Sequence, residues 1–144
     1  MAAKRRPMAE VEATRFVATR PARVERLLGP ETILAAEGTF DVAHVEEAGE
    51  GRWRVTGSGR GMSVPFAFAE LDDGYRYEAL GDHGPFREFE ATVTYGAEDH
   101  GTRLEARSTV RINLPLQVLS DRLAGWKRRS ELQRLLDALA ADLE

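Results

Sequence analysis

The sequence predicts a single α+β domain in which a curved antiparallel sheet wraps a long C-terminal helix. Three observations carry this reading. Glycine- and aspartate-rich turn signals recur at short intervals through the middle of the chain. The segments between them alternate apolar and polar residues with period two, the signature of half-buried strands. The C-terminal stretch instead carries leucines at helical spacing over about 28 residues.

Taken in order, the chain opens with a strand around Glu10–Ala18. A helical pair follows. Val24, Leu27 and Leu28 fall at i, i+3 and i+4, with Pro21 in the first turn and Gly29-Pro30 as a stop. Pro30-Glu31-Thr32-Ile33-Leu34 starts a second short helix, and a strand around Gly38–Glu47 comes next. The turns are Gly49-Glu50-Gly51, Ser58-Gly59-Arg60-Gly61, Asp72-Asp73-Gly74, Asp82-His83-Gly84-Pro85 and Glu98-Asp99-His100-Gly101. Each supplies glycine or an Asp/Gly pair, residues that tolerate positive φ. Strands joined by such short turns must be antiparallel neighbours, so the middle of the chain is a meander. Its clearest member places Leu104, Ala106, Ser108, Val110 and Ile112 on one face and Arg103, Glu105, Arg107, Thr109 and Arg111 on the other. After the meander, Asn113 is placed to cap a helix with Pro115 in its first turn. Leu116, Leu119, Leu123 and Trp126, then Leu132, Leu135, Leu136, Leu139 and Leu143, form its apolar stripe.

At 144 residues the chain fits one domain with a sizeable core. No apolar run approaches the roughly 18 residues a membrane helix needs. The basic Lys4-Arg5-Arg6 is not followed by an apolar segment, which argues against a signal peptide. Met8 is a second candidate start, so residues 1–8 are expected to be a disordered basic tail or an alternative-start extension, and 9–144 the domain. The absence of cysteine excludes disulfides and thiolate chemistry and fits the cytoplasm. The net charge is −4; setting Lys4, Arg5 and Arg6 aside from the 20 basic residues leaves 17 against 24 acidic ones. A body so charged is a poor general binder of nucleic acid.

The order strand, two short helices, six strands, long helix resembles the START-like superfamily, also called SRPBCC. That group includes the birch-pollen-allergen fold and the polyketide cyclase/dehydrase-type proteins. The residues that carry the resemblance are Phe16-Val17-Ala18-Thr19-Arg20-Pro21-Ala22-Arg23-Val24-Glu25-Arg26-Leu27-Leu28, the Trp53–Gly61 strand, Gly84-Pro85-Phe86 at the start of the sixth strand, and the leucine-rich final helix. It covers roughly Ala9 to the C-terminus and looks closest to small prokaryotic members. It implies a helix-grip fold, a seven-stranded sheet gripping the last helix with a cavity between them. It also implies a hydrophobic or amphipathic small molecule as partner, with a minority of members acting as aromatase/cyclase enzymes.

The concave face of the sheet is where a site is expected, because ligand pockets are mostly apolar with a few polar groups. The candidate cavity residues are Trp53, Val55, Phe66, Phe68, Tyr75, Tyr77, Leu104, Ala106 and Ser108 on the sheet, with Leu119, Leu123 and Trp126 looking back from the helix. The plainer reading, of equal weight, is that these residues fill a core. Gly57, Gly59, Ala79 and Ala106 tip the balance slightly towards a cavity, since they leave space where a filled core wants larger side chains.

Glu88 and Glu90 share one face of the sixth strand and are expected to face solvent if Phe89, Ala91 and Val93 point inward. In the reversed register the cavity would hold two carboxylates about 6.5–7 Å apart, one of them suited to acid–base work. His44 is read as a half-buried, hydrogen-bonded strand residue rather than a base, and His83 and His100 as turn residues. Arg15 and Arg107 are further polar groups whose faces the pattern leaves open. In Trp126-Lys127-Arg128-Arg129 the expectation is that the aromatic faces the core and the cations face water, pairing with Asp121, Glu131 or acids near Glu144. No histidine spacing supports a metal, no G-x-S-x-G marks a nucleophile, and no catalytic residue or cofactor is assigned.

Three functions stay open from sequence: binding of a hydrophobic or amphipathic small molecule, a cyclase or dehydrase using an inward Glu, His or Tyr, and a protein-interaction module with a filled core. Oligomeric state is not fixed.

Overall fold

The computed structural model describes residues 8–59, 61–80, 86–112 and 117–144, with side chains described at 10–59, 61–80, 90–109 and 128–144. The elements run β1 (Met8–Val17), α1 (Pro21–Leu27), α2 (Pro30–Glu37), β2 (Asp41–Gly49), β3 (Arg52–Gly59), β4 (Met62–Leu71), β5 (Gly74–Ala79), β6 (Phe86–Glu98), β7 (Gly101–Ile112) and α3 (Gln117–Leu143). The seven strands form one antiparallel sheet in the order β1-β7-β6-β5-β4-β3-β2. β2 to β7 are therefore the expected meander, and β1 closes on β7 from the far end of the chain. α3 lies against β1, β7 and α2. This is the expected α+β helix-grip architecture.

Proline sets the start of both short helices, standing at the head of α1 and of α2, where its missing N–H costs no helical bond. α2 stops at Gly38, whose φ of 77° is left-handed and whose N–H returns to the Ala35 carbonyl. That stop leaves Glu37 as the last residue of α2. The Thr32 hydroxyl donates to the Leu27 carbonyl at 2.8 Å and ties the two helices together. Asn113 and Pro115, expected to open the long helix, and the turn at Asp82-His83-Gly84-Pro85 lie outside the described residues, as does the basic segment 1–7.

Alternation turns one face of every strand inward. Val11, Ala13 and Val17 of β1, Val55 of β3, Val64, Phe66 and Phe68 of β4, Tyr77 of β5, Ala91 and Val93 of β6, and Leu104 and Ala106 of β7 are all buried. From the helix side, Leu132, Leu135, Leu136, Leu139 and Ala140 reach complete burial. Among the described residues no helix is long and apolar enough to cross a membrane.

Two glycines answer to close packing. A Cβ on Gly57 would stand 2.9 Å from Cβ of Phe40 and 3.2 Å from the ring of Phe66. The space at Gly57 and Gly59 is thus taken by Phe40, which lies across both and tilts against Phe66 at 6.0 Å. This corrects the expectation that these glycines leave a cavity: they let an aromatic ring lie directly on the backbone. At the β6–β7 turn the positive φ values fall on Asp99 (44°) and His100 (64°), while Gly101 is needed for a different reason. A Cβ there would meet the Val17 carbonyl and, at 2.5 Å, the Phe16 ring.

Candidate functional site

The concave wall is built from rows of side chains that strand pairing places side by side. Trp53, Phe68 and Tyr77 are successive cross-strand partners on β3, β4 and β5. The Phe68 and Tyr77 rings stack at 4.7 Å and 6°. Val55 and Phe66 form the neighbouring row, paired directly. On β6 and β7, Val93 pairs with Ala106 and Ala91 with Ser108. The result is an apolar wall with few polar atoms.

Those few converge. Arg128 of α3 is 5% exposed, and Glu37 at the end of α2 is 6% exposed. Nη1 of Arg128 reaches Oε1 of Glu37 at 2.5 Å and Oε1 of Glu131 at 3.4 Å. Its Nε donates to the Ser108 hydroxyl at 3.0 Å, and that hydroxyl donates on to the Glu90 carbonyl at 2.9 Å. Four elements therefore meet at one guanidinium: α2 and α3 from the helices, β6 and β7 from the sheet. Burial pushes the Tyr77 phenol well above its ordinary pKa, and the Glu37 carboxylate adds to this against the opposing pull of Arg128. Tyr77 thus sits in the field of the same pair and stays a neutral phenol. Burial disfavours the charge on Arg128, but Glu37, Tyr77 and Glu131 together outweigh it and hold the guanidinium above its usual value.

This cluster departs from the sequence expectation that the cations after Trp126 face water. Arg128 is buried because it stands four residues before Leu132, seven before Leu135 and eleven before Leu139, on the same stripe of α3. Glu131 does pair with it as expected, but the principal partner, Glu37, comes from an element 91 residues away. The signal for Arg128 was its phase on the stripe; no signal in sequence pointed to Glu37.

Of the candidate cavity residues, Val55, Phe66, Phe68, Tyr77, Leu104, Ala106 and Ser108 are buried on the concave face, and Trp53 and Tyr75 are half-buried at its rim. The side chains of Leu119, Leu123 and Trp126 lie outside the described residues, as do those of Glu88 and His83. Glu90 faces solvent and holds Arg76 at 2.8 Å, which keeps its carboxyl below the usual range. His44 is exposed, not half-buried, with Glu46 at 3.6 Å. The cause is a bulge between Val42 and His44 on the edge strand β2, which turns Val42 and Val45 inward and His44 out. Arg107 is exposed beside Glu105 and Glu12, and Arg15 clamps β1 to the end of α3 through Asp137 at 2.6 Å and Glu144 at 3.6 Å. A shallow depression on the outer face, lined by Glu10, Glu90, Thr92, Arg107 and Thr109, shares none of the buried cluster's side chains apart from an edge of Ser108. Among the described residues no three metal-ligating side chains converge.

The family model described as polyketide cyclase / dehydrase and lipid transport matches residues 8–144. No curated protein matches the sequence. Among solved structures, TTHA0849 from Thermus thermophilus superposes with a TM-score of 0.71 at 22% identity, covering 93% of this chain and 96% of that one. A START superfamily protein from Mycobacterium smegmatis gives 0.64 at 17% identity, covering 93% and 96%. The di-domain ARO/CYC protein BexL from the BE-7585A biosynthetic pathway gives 0.70 at 14%, covering 94% of this chain and 50% of that one. At these identities the likeness is one of fold.

Proposed function

Because the chain belongs to the polyketide cyclase / dehydrase and lipid transport family of START-like proteins, we propose that it binds an amphipathic small molecule between the sheet and α3. The apolar body of the ligand lies along Phe66, Phe68 and Tyr77, and its polar end is oriented by the cluster around Arg128. One observation carries this reading: a complete buried ion pair, Arg128 with Glu37, stands on an otherwise apolar wall. Well-packed hydrophobic residues in place of such a pair are often neutral or stabilising. A core that only had to be filled gains little from it, whereas a binding site gains orientation and selectivity from a few fixed polar groups. Glu37 already neutralises Arg128, so the favoured ligand end is an uncharged hydroxyl or carbonyl rather than a carboxylate.

An acid–base enzyme is less well supported. Glu90 and His44 face solvent, and Tyr77, held as a neutral phenol, serves as a hydrogen-bond donor rather than a base. An interaction module is supported no better, since among the described residues the exposed large hydrophobics are Phe16 and Met62, on separate strands. The cysteine-free sequence supports a cytoplasmic setting.

The test is mass spectrometry of the organic extract of protein purified from its native host, beside the paired variant Glu37→Leu with Arg128→Met. A small molecule with an apolar skeleton and a neutral polar end, present with the wild type and depleted in the variant, is expected. An empty extract, together with no binding of anilinonaphthalene sulfonate to the native protein, means a filled core.

A further inference from the structure

The apolar wall has one end that its own strands do not build. On β3 the inward row runs Trp53, Val55, Gly57 and Gly59, so two bare positions follow Val55. Their cross-strand partners on β4 are Val64, which is buried, and Met62, which is 42% exposed. The concave face therefore meets solvent here. What stands across this end is Phe40, a half-buried ring carried by the three residues between α2 and β2. Its Cβ is 2.9 Å from where a Cβ on Gly57 would stand, and its ring is 3.4 Å from one on Gly59. The same ring leans on Phe66 at 58°.

Phe40 is held in place from both sides. Ile33, Leu34 and the Glu37–Arg128 pair fix the end of α2, and β2 is paired with β3 from Asp41 onwards. Three residues between two fixed ends leave little slack. Glycine inside a strand weakens it and marks the close approach of another group. A wall that only had to be filled gains more from a side chain on the strand itself, as at Val55 and Val64. A ring laid over bare backbone instead ends the wall.

We propose that Phe40, seated on Gly57 and Gly59, is a specificity-determining residue: the stop that limits the length of the apolar body the site admits. This rests on the reading of an amphipathic ligand lying along Phe66, Phe68 and Tyr77 with its polar end at Arg128. The body then runs from the ion pair along those rings to Phe40. Glu37 and Phe40 are three residues apart, so their Cα atoms are at most about 11 Å from each other. One short segment thus supplies a partner of the polar anchor and the apolar stop, and the body that fits between them is a short chain or a compact ring system.

The experiment is heteronuclear NMR of the full chain titrated with straight-chain 1-alkanols from butanol to decanol, followed at the amides of Phe66, Tyr77 and Ser108. In the wild type, affinity should rise about fourfold per added methylene up to a limiting length and then level off. Phe40→Ala should move that limit by about two carbons towards longer alcohols. Adding Gly57→Val, which returns volume to the same space from the strand, should bring the limit back. Should Phe40→Ala fail to fold, Phe40→Leu should move the limit in the same direction, and the Gly57→Val restoration is then made on that variant. An unmoved limit, no limit up to decanol in the wild type, or a limit that Gly57→Val does not restore would each overturn this inference while leaving the ligand site standing. No saturable shift with any alcohol would overturn the ligand site and this inference with it.

Discussion

Removing Glu37 should expose how tightly the Arg128 cluster is sealed. In Glu37→Gln the guanidinium keeps Ser108 on Nε and Glu131 at 3.4 Å but loses its 2.5 Å carboxylate partner at 5% exposure. Breaking a buried pair at one end costs about 3–5 kcal/mol; the surviving Glu131 places this case at the low end, about 3 kcal/mol. Against a native stability of about 5–15 kcal/mol that is a large fraction. A domain of this size should lose about 6–12 °C in Tm. The paired replacement Glu37→Leu with Arg128→Met removes both charges together and should return to within about 1 kcal/mol of wild type. Urea denaturation followed by circular dichroism on the wild type, Glu37→Leu, Arg128→Met and the pair closes the cycle; with about 3 kcal/mol lost in each single variant and about 1 kcal/mol in the pair, a coupling of about 5 kcal/mol is expected. A loss below about 1 kcal/mol in Glu37→Gln, or a pair no more stable than its worse single variant, refutes a sealed, mutually dependent ion pair.

Other perturbations probe the scaffold around the site. Ser108→Ala strips Arg128 Nε and the Glu90 carbonyl of their shared partner and should cost about 1–3 kcal/mol in the same denaturation assay. Gly57→Ala drives a methyl into Phe40 and Phe66, with a loss of about 1–3 kcal/mol that Phe40→Leu should partly rescue; equal stability would mean that Phe40 does not hold this position. All three tyrosines are raised above their ordinary pKa. The unfolded chain therefore sheds phenolic protons before the folded one does, and stability should fall as pH climbs past the ordinary tyrosine range of about 10. Ionisation of Tyr77, the fully buried phenol, should accompany unfolding rather than precede it. The carboxyls of Asp137 and Glu90, lowered by hydrogen bonds from Arg15 and Arg76, contribute stability that is present above their unfolded pKa and lost on acidification. Double-mutant cycles at Arg76 and Glu90 at neutral and acid pH should show a small, salt-sensitive coupling that vanishes as the carboxylate protonates.

Much of the fold follows from local chemistry. Period-two alternation assigns Val55, Phe66, Phe68, Tyr77, Leu104 and Ala106 to one face, and short turns force their strands to be antiparallel neighbours. Proline and glycine mark the ends of α1 and α2, because their backbone preferences act within a residue or two. A single bulge was enough to defeat the pattern at His44, since one extra residue on an edge strand reverses every face beyond it. Gly57 looked like spare volume because composition does not say which distant ring will cover a bare backbone; Phe40 does so from 17 positions away, where β2 begins.

The sequence by itself determined the sheet, its inward face and the helix that crosses it, for hydrophobic periodicity needs no knowledge of partners. Whether a charge on that helix is buried was decided only in three dimensions. Arg128 can leave water because the end of α2 brings Glu37 to it and β7 brings Ser108. The desolvation of one charge is tolerable only when the chain delivers its opposite to the same place.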